Sequence, residues 1–264
     1  MITSGIQNDS TIDSIPEDLS FFVPYLRYYV KQIRETDGEV QVSRLPDGTI
    51  SGIFLYDHSE KTGVIFSRSR EVFDYFFDSK PFDYLFAELG TEHENEPYDI
   101  YTLDLTDVMV DHSFSHEISI AASGDIDALK QFMISSSHRM NSKWVEVAMR
   151  DNEKCFLVRF GSEIAGLGWV SLVNGIGRLH SLYVKPQYRR LRIGEDLLFA
   201  RLYWLKSNES RSVFSEISRF NSPSSKIAQK GQMSPTGQLF LYFRRPKPSF
   251  SEPRTPDKLE RSSQ

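Results

Sequence analysis

The segment that most constrains this chain runs from Arg178 to Lys206. Leu179, Ser181, Leu182, Tyr183 and Val184 form a short apolar, partly β-branched and aromatic run that reads as a strand. Pro186 ends it, because proline brings no amide to a ladder. Beyond a short basic loop, Ile193, Leu197, Leu198, Ala200, Arg201, Trp204 and Leu205 recur at helical spacing. Glu195 and Asp196 fall in the first turn, where negative charge suits the helix dipole. A helix therefore begins at about Ile193. The turn between strand and helix carries Arg189, Arg190 and Arg192, so amides without intrahelical partners converge with three guanidinium groups. Such a junction suits a phosphate.

The remaining chain alternates strands and helices. Residues 1–15 are poor in apolar side chains and should be loose. From Glu17, the positions Leu19, Phe22, Val23, Leu26, Val30 and Ile33 follow helical spacing, and Asp37-Gly38 stops the pattern. Val40–Val42 and Ile53–Tyr56 read as a hairpin closed by Pro46-Asp47-Gly48. Val64–Phe66 is a third strand, Arg70 to Phe77 a short helix and Tyr98 to Leu105 a further strand, with residues 92–96 as a solvated acidic loop. Past Ser115, Ile118–Ile120 reads as a strand and Ile126, Leu129, Phe132 and Met133 as one face of a helix. Trp144 to Met149 is a second helical segment. Cys155–Phe160 and Ile164–Val173 form a hairpin through Gly161, and Asn174-Gly175 supplies a type I′ turn into the Arg178 strand. Val213–Ile217 is a strand and Asn221 to Gly231 a helix. The Pro-, Ser- and charge-rich stretch 246–264 should be disordered.

Composition narrows the class. At 264 residues, 39% hydrophobic and 13% aromatic, the chain can bury a full core. A net charge of -5 argues against nucleic acid as a partner recognised by bulk charge. The single cysteine, Cys155, makes neither an internal disulfide nor a cysteine-rich metal site, so no metal is expected. No apolar run is long enough for a membrane and no signal segment stands at the N-terminus, so the expected location is cytoplasmic.

The run from Val184 to Gly194 resembles motif A of the GNAT superfamily of acyl-CoA N-acyltransferases, Arg/Gln-x-x-Gly-x-Gly/Ala after the fourth strand. Arg189 falls on its first position and Gly194 on its last, while Arg192 replaces the middle glycine. A glycine there lets the backbone approach a diphosphate, so Arg192 either weakens coenzyme binding or supplies charge in its stead. Phe220 to Met233 resembles motif B, with Asn221 opening and Gly231 closing a helix. Two departures stand out: Ile227 where many members carry a thiolate-protonating Tyr, and Gln232 where a Phe is customary. The order strand, helix, helix, three antiparallel strands, basic turn, helix is that of the GNAT core.

The resemblance implies an α+β fold with a mixed, mostly antiparallel sheet flanked by helices. Its catalytic domain would span 113–245 and follow a degenerate GNAT-like half at 16–112 that lacks the glycine turn and shapes the acceptor pocket. It also implies acetyl-CoA as cosubstrate and a small-molecule or protein amine as acceptor, attacking directly without a covalent enzyme intermediate. Leu182, Tyr183 and Val184 would hold the pantetheine and polarise the thioester carbonyl. Arg189, Arg190, Leu191, Arg192, Ile193, Gly194 and Glu195 would bind the diphosphate region, and Asn221 would complete the site. For proton transfer the candidates are His180, Glu216 and Ser224, with Ser225 or water also open. The competing reading is a catalytically impaired acyl-CoA sensor or interaction module, which Arg192, Ile227 and Gln232 favour.

Overall fold

A computed structural model describes Ile33 and residues 38–48, 50–58, 61–67, 69–87, 95–106, 108–135, 145–146, 148–149, 153–173 and 175–244. The loose start, the body of the first expected helix, Asn174 of the type I′ turn and the tail lie outside the described residues.

Two meanders are built alike. β1 (Gly38–Arg44), β2 (Ile50–Asp57) and β3 (Thr62–Ser67) pair antiparallel, helix α1 (Arg70–Ser79) crosses back, and β4 (Tyr84–Ala87) pairs parallel to β3. β5 (Asn95–Asp104) follows. Next come the short β6 (Ile118–Ile120) and helix α2 (Ile126–Ser135), and then the pattern returns. β7 (Lys154–Phe160), β8 (Glu163–Val173) and β9 (Ile176–Val184) pair antiparallel, helix α3 (Ile193–Ser207) crosses back, and β10 (Ser212–Ser218) pairs parallel to β9. Helix α4 (Ser222–Lys230) and β11 (Ser234–Arg244) complete the second round.

The final strands of the two rounds are exchanged. β5 pairs antiparallel with β10 of the second half, β11 with β4 of the first, and β5 and β11 pair with each other between them. One sheet of eleven strands results, in the order β1-β2-β3-β4-β11-β5-β10-β9-β8-β7-β6. Read from either end, it gives two antiparallel steps, one parallel step and an exchanged strand; β6 adds an edge on one side only. α1 covers Phe54, Ile65 and Phe243 on one face, and α3 covers Leu103, Val213 and Ile217. The other face of the second half packs Trp169, Leu157 and Leu167 against Leu129 and Phe132 of α2 and against Val145 and Ala148 of the expected helical segment.

The hairpins at Gly48 and Gly161 form as the sequence implies, with φ of 89° and 61°. Two strands are not anticipated by the sequence, β4 and β11. β11 carries Pro235 and Gly237, which interrupt its alternation, and the ladder shifts register between Pro235 and Leu239. The acidic stretch is also corrected: Asn95 and Glu96 begin β5 rather than lying in a solvated loop, and Ser218 Oγ donates to Glu96 Oε1 at 2.6 Å.

Candidate functional site

Eight residues separate β9 from α3. Pro186–Tyr188 make a single 3-10 turn, after which Arg190 and Arg192 both take left-handed backbone, φ 68° and 66°. Arg192 is the N-cap of α3, and no side chain caps the helix. The amides of Arg190, Leu191, Arg192, Ile193 and Gly194 find no acceptor of hydrogen-bonding geometry among the described residues, whereas Glu195 and Asp196 both donate to the Arg192 carbonyl. Five consecutive open N–H groups at a helix N-terminus form a cradle for an anion.

Its side chains differ in availability. Arg189 Nε donates to the Val184 carbonyl at 3.2 Å and stacks over Tyr183. Arg192 Nη2 donates to Glu195 Oε1 at 3.1 Å, and Lys230 of α4 holds the other Glu195 oxygen. Lys230 first, and Arg192 with it, keep the Glu195 carboxyl below its ordinary pKa in spite of partial burial. Arg190 is exposed and makes no side-chain bond among the described residues. The first turn of α3 is pinned from behind. Buried Asp196 accepts from the Ser115 amide at 3.1 Å and pairs with His112 and His116 at 2.7 Å each. Burial raises the Asp196 carboxyl, but these partners outweigh it and hold the pKa low.

Beside the cradle, the sheet opens. β9 and β10 pair only from Ile176 to Arg178 against Ser212 to Phe214, so the edge of β9 from Leu179 to Val184 has no ladder toward β10. A bulge deepens the gap: the β8 pairing shifts between Leu167 and Trp169, opposite Ser181 at φ 51°. The cavity there is about 650 Å³. Glu216 and Ser218 on one face of β10 and Ser215 and Ile217 on the other all line it, so it passes through the sheet. A Cβ on Gly194 would meet Ile227 Cδ1 at 2.9 Å and Leu182 Cδ2 at 3.9 Å. Both of those side chains line the cavity, and so cradle and cavity adjoin.

The cavity is charged and aromatic. Arg178 Nε donates to Glu216 Oε2 at 3.2 Å, across the strands where their pairing stops. His180 Nε2 lies 3.2 Å from Glu153 Oε2, and its Nδ1 lies 3.2 Å from Ser181 Oγ. Glu96, Tyr242 and Phe86 stand side by side on β5, β11 and β4. With Tyr98 they form a wall whose ring centroids are 5.0–5.8 Å apart. The first half and the exchanged strand thus supply one side of the cavity.

The expected residues fall into three groups. His180, Glu216, Ser224, Leu182, Tyr183 and Asn221 line the cavity. Arg189 through Glu195, with Val184 before them, form the cradle and its approach. Ser225 bonds the Asn221 carbonyl instead and does not line the cavity. Asn221 Oδ1 accepts from the Ser224 amide as the N-cap of α4, and among the described residues the Ser224 hydroxyl makes no hydrogen bond. Gly231 does not supply the left-handed end of α4: its φ is -77°, and Gln232 takes φ 64° instead. Glycine is needed at 231 for proximity to α3, because a Cβ would meet Leu198 Cδ2 at 2.6 Å. Sequence reasoning misses Glu153, Glu96, the aromatic wall and Arg201. The signal for Arg201 is its place in the apolar stripe of α3.

The model of the acetyltransferase (GNAT) family matches residues 125–231, which contain the bulge, the cradle and α4. Over that segment the chain is similar to the GNAT acetyltransferases. Solved structures agree at the level of fold. An X-ray structure of a Drosophila protein is 13% identical with a TM-score of 0.66, over 93% of this chain and 98% of that one. A GNAT-family acetyltransferase from Colwellia psychrerythraea is 9% identical at 0.57, over 93% and 100%. A tandem GNAT protein from the clavulanic acid biosynthesis pathway is 12% identical at 0.51, over 80% and 84%. No curated protein matches. In GNAT terms, the motif A position usually held by glycine is Arg192, which adopts the left-handed backbone that glycine would permit. Among the described residues no helix is long and apolar enough to cross a membrane.

Proposed function

We propose that this chain is an acyl-CoA-dependent N-acyltransferase, most simply an acetyltransferase acting on a primary amine. The observation that carries the reading is the run of five open amides from Arg190 to Gly194. Those amides and the free Arg190 guanidinium fit a diphosphate: the donors are unspent, and the backbone turns left-handed twice to present them. The unpaired edge of β9 would hold the pantetheine by strand-like hydrogen bonds. When bound, the coenzyme supplies an acyl thioester in the gap between β9 and β10.

The chain's own groups then have definable work. Amides at the β9 bulge offer hydrogen bonds to an acyl oxygen as negative charge develops on it. His180, with Glu153 Oε2 3.2 Å from its Nε2, takes the proton of the acceptor ammonium, directly or through water, and Glu153 balances the imidazolium formed. Glu216 is matched with Arg178, which suits it to positioning. The Ser224 hydroxyl, which lines the cavity, would give a proton to the leaving thiolate. The first half, residues 16–112, supplies the acceptor wall through Phe86, Glu96 and Tyr98, and residues 113–245 supply the coenzyme side.

One observation favours the second reading, a sensor that binds acyl-CoA without turnover: apolar Ile227 lines the cavity where many GNAT enzymes place a tyrosine. Two measurements separate the readings. Calorimetry with CoA should show binding, and its failure would remove both. Thiol release from acetyl-CoA across an amine panel should exceed hydrolysis, and His180→Gln should lower kcat about a hundredfold with KM for acetyl-CoA little changed. Binding without release for any amine leaves the sensor.

A further inference from the structure

Arg201 is a full charge inside the protein. It lies mid-way along α3 and is 2% exposed. Its Nε donates to the Leu197 carbonyl at 2.9 Å, and its Nη1 to the carbonyls of Trp169 at 3.0 Å and His180 at 3.4 Å. Among the described residues Nη2 has no partner and no carboxylate pairs with the guanidinium. The two carboxylates that line the cavity are engaged elsewhere, Glu216 by Arg178 and Glu96 by the Ser218 hydroxyl, and buried Glu153 lies 3.2 Å from His180. The sheet is shaped to admit the group, since a Cβ on Gly168 would lie 2.9 Å from Arg201 Cζ. Burial drives its pKa down to about 10.

Three peptide carbonyls satisfy hydrogen bonds but not a charge. Removing a cation from water without a counter-ion costs several kcal/mol, even after relaxation, and a neutral amide could donate to the same carbonyls. The expense is explained if the charge is balanced only when a ligand is present. Arg201 lines the cavity between β9 and β10, and one of its carbonyl partners belongs to His180, next to the bulge.

We propose that Arg201 is the counter-ion for a carboxylate carried by the ligand into the gap between β9 and β10. This rests on the reading that the gap takes an acyl-CoA and an amine, and it narrows the substrate class. The carboxylate belongs either to the acyl group, as the far end of a dicarboxylic acyl chain, or to the acceptor, as the carboxylate of an amino acid. Both sources present the same anion to the same guanidinium. The fork of Nη1 and Nη2 suits such a group, with Nη2 free to donate.

The test uses the full chain and three calorimetric comparisons. The first sets succinyl-CoA against acetyl-CoA. The second, with CoA present, sets alanine against alaninamide. The third needs no coenzyme and sets free succinate against succinamide, read as the rise in melting temperature. The expected result is a preference of tenfold or more for the carboxylate form in one of the first two comparisons, which identifies its source, and protection by succinate alone in the third. Arg201→Met should bring these ratios to about one. Arg201→Lys, which keeps the charge but not the fork, should reduce them by severalfold and guards against a methionine variant that does not fold. The proposal is overturned if the wild-type chain shows no preference in any comparison, or if a preference survives in folded Arg201→Met. Should CoA fail to bind, the acyl-CoA reading falls, while the succinate comparison still decides the role of Arg201.

Discussion

The two halves make the same strand-to-helix crossing and finish it in opposite ways. In the first half, β3 ends at Ser67 and α1 begins at Arg70, and serines accept from three amides at the junction. Ser67 Oγ accepts from the Ser69 amide at 3.1 Å, Ser69 Oγ from Val72 at 3.4 Å, and the Ser69 carbonyl from Phe73 at 2.9 Å. In the second half, eight residues replace two, no side chain caps the helix, and five amides stay open. A serine cap stabilises a helix by using the donors that an anion would need. The same topology therefore yields a structural junction in one half and a binding junction in the other, and the difference lies in who accepts the helix's first hydrogen bonds.

If the open junction lacks its own cap, something else must hold the helix. That support is Asp196, clasped by His112, His116 and the Ser115 amide of the segment that joins the halves. Asp196→Asn should cost about 3 kcal/mol in urea unfolding, because a fully buried carboxylate that pairs with two half-buried imidazoles is removed. Glu71→Gln, exposed in the first turn of α1, should change stability by less than about 0.5 kcal/mol. The Asp196 partners lower its folded pKa beneath the ordinary value of 3.8. Its contribution is therefore complete above that value and is lost as pH falls through the lowered one. Equal effects of the two substitutions would break the comparison.

Charge reversal should separate the junctions in binding rather than stability. Arg190→Glu sets a carboxylate beside the cradle and should weaken CoA binding about ten- to a hundredfold by calorimetry, leaving the melting temperature unchanged because Arg190 makes no side-chain bond among the described residues. Arg70→Glu at the corresponding place in the first half should leave CoA binding as it is. A similar loss from Arg70→Glu would place the anion in the wrong half.

Ser69→Ala tests the closed junction from the other side. It should cost about 1 kcal/mol, as loss of an N-cap usually does, with CoA affinity unaltered. If affinity falls, the first half takes part in coenzyme binding and the contrast fails.

How far the sequence reveals this contrast depends on what each feature leaves in local pattern. The strand, basic turn and helix from Arg178 to Lys206 are legible because proline, clustered arginines and apolar spacing act over short range. The lack of a glycine after β3 is legible for the same reason. The exchange of β5 and β11 is not, since pairing across more than a hundred residues leaves no periodic trace and Pro235 and Gly237 interrupt the alternation of β11. Glu96 reads as loop because its neighbours are acidic, and its burial comes from a strand of the other half. Arg201 sits in the apolar stripe in plain view, yet its meaning depends on Gly168 and on the bulge opposite it in β9.

The smallest expected effect is the most discriminating, because it concerns the departure from the GNAT pattern itself. Arg192 holds φ 66°, a conformation that costs a residue with a Cβ about 1 kcal/mol. Arg192→Gly relieves that strain but gives the unfolded chain more freedom and loses the exposed pair with Glu195, worth a few tenths of a kcal/mol or less. Stability should therefore move by less than about 0.5 kcal/mol. Affinity for CoA is what tells whether the charge matters. If Glu195 already engages the guanidinium, glycine should hold affinity within about threefold, and the left-handed backbone alone does the work. A loss of tenfold or more would mean that the arginine leaves Glu195 for the ligand, and that Lys230 alone then balances Glu195. Arg192→Ala separates the two, since it drops the charge and keeps the strain.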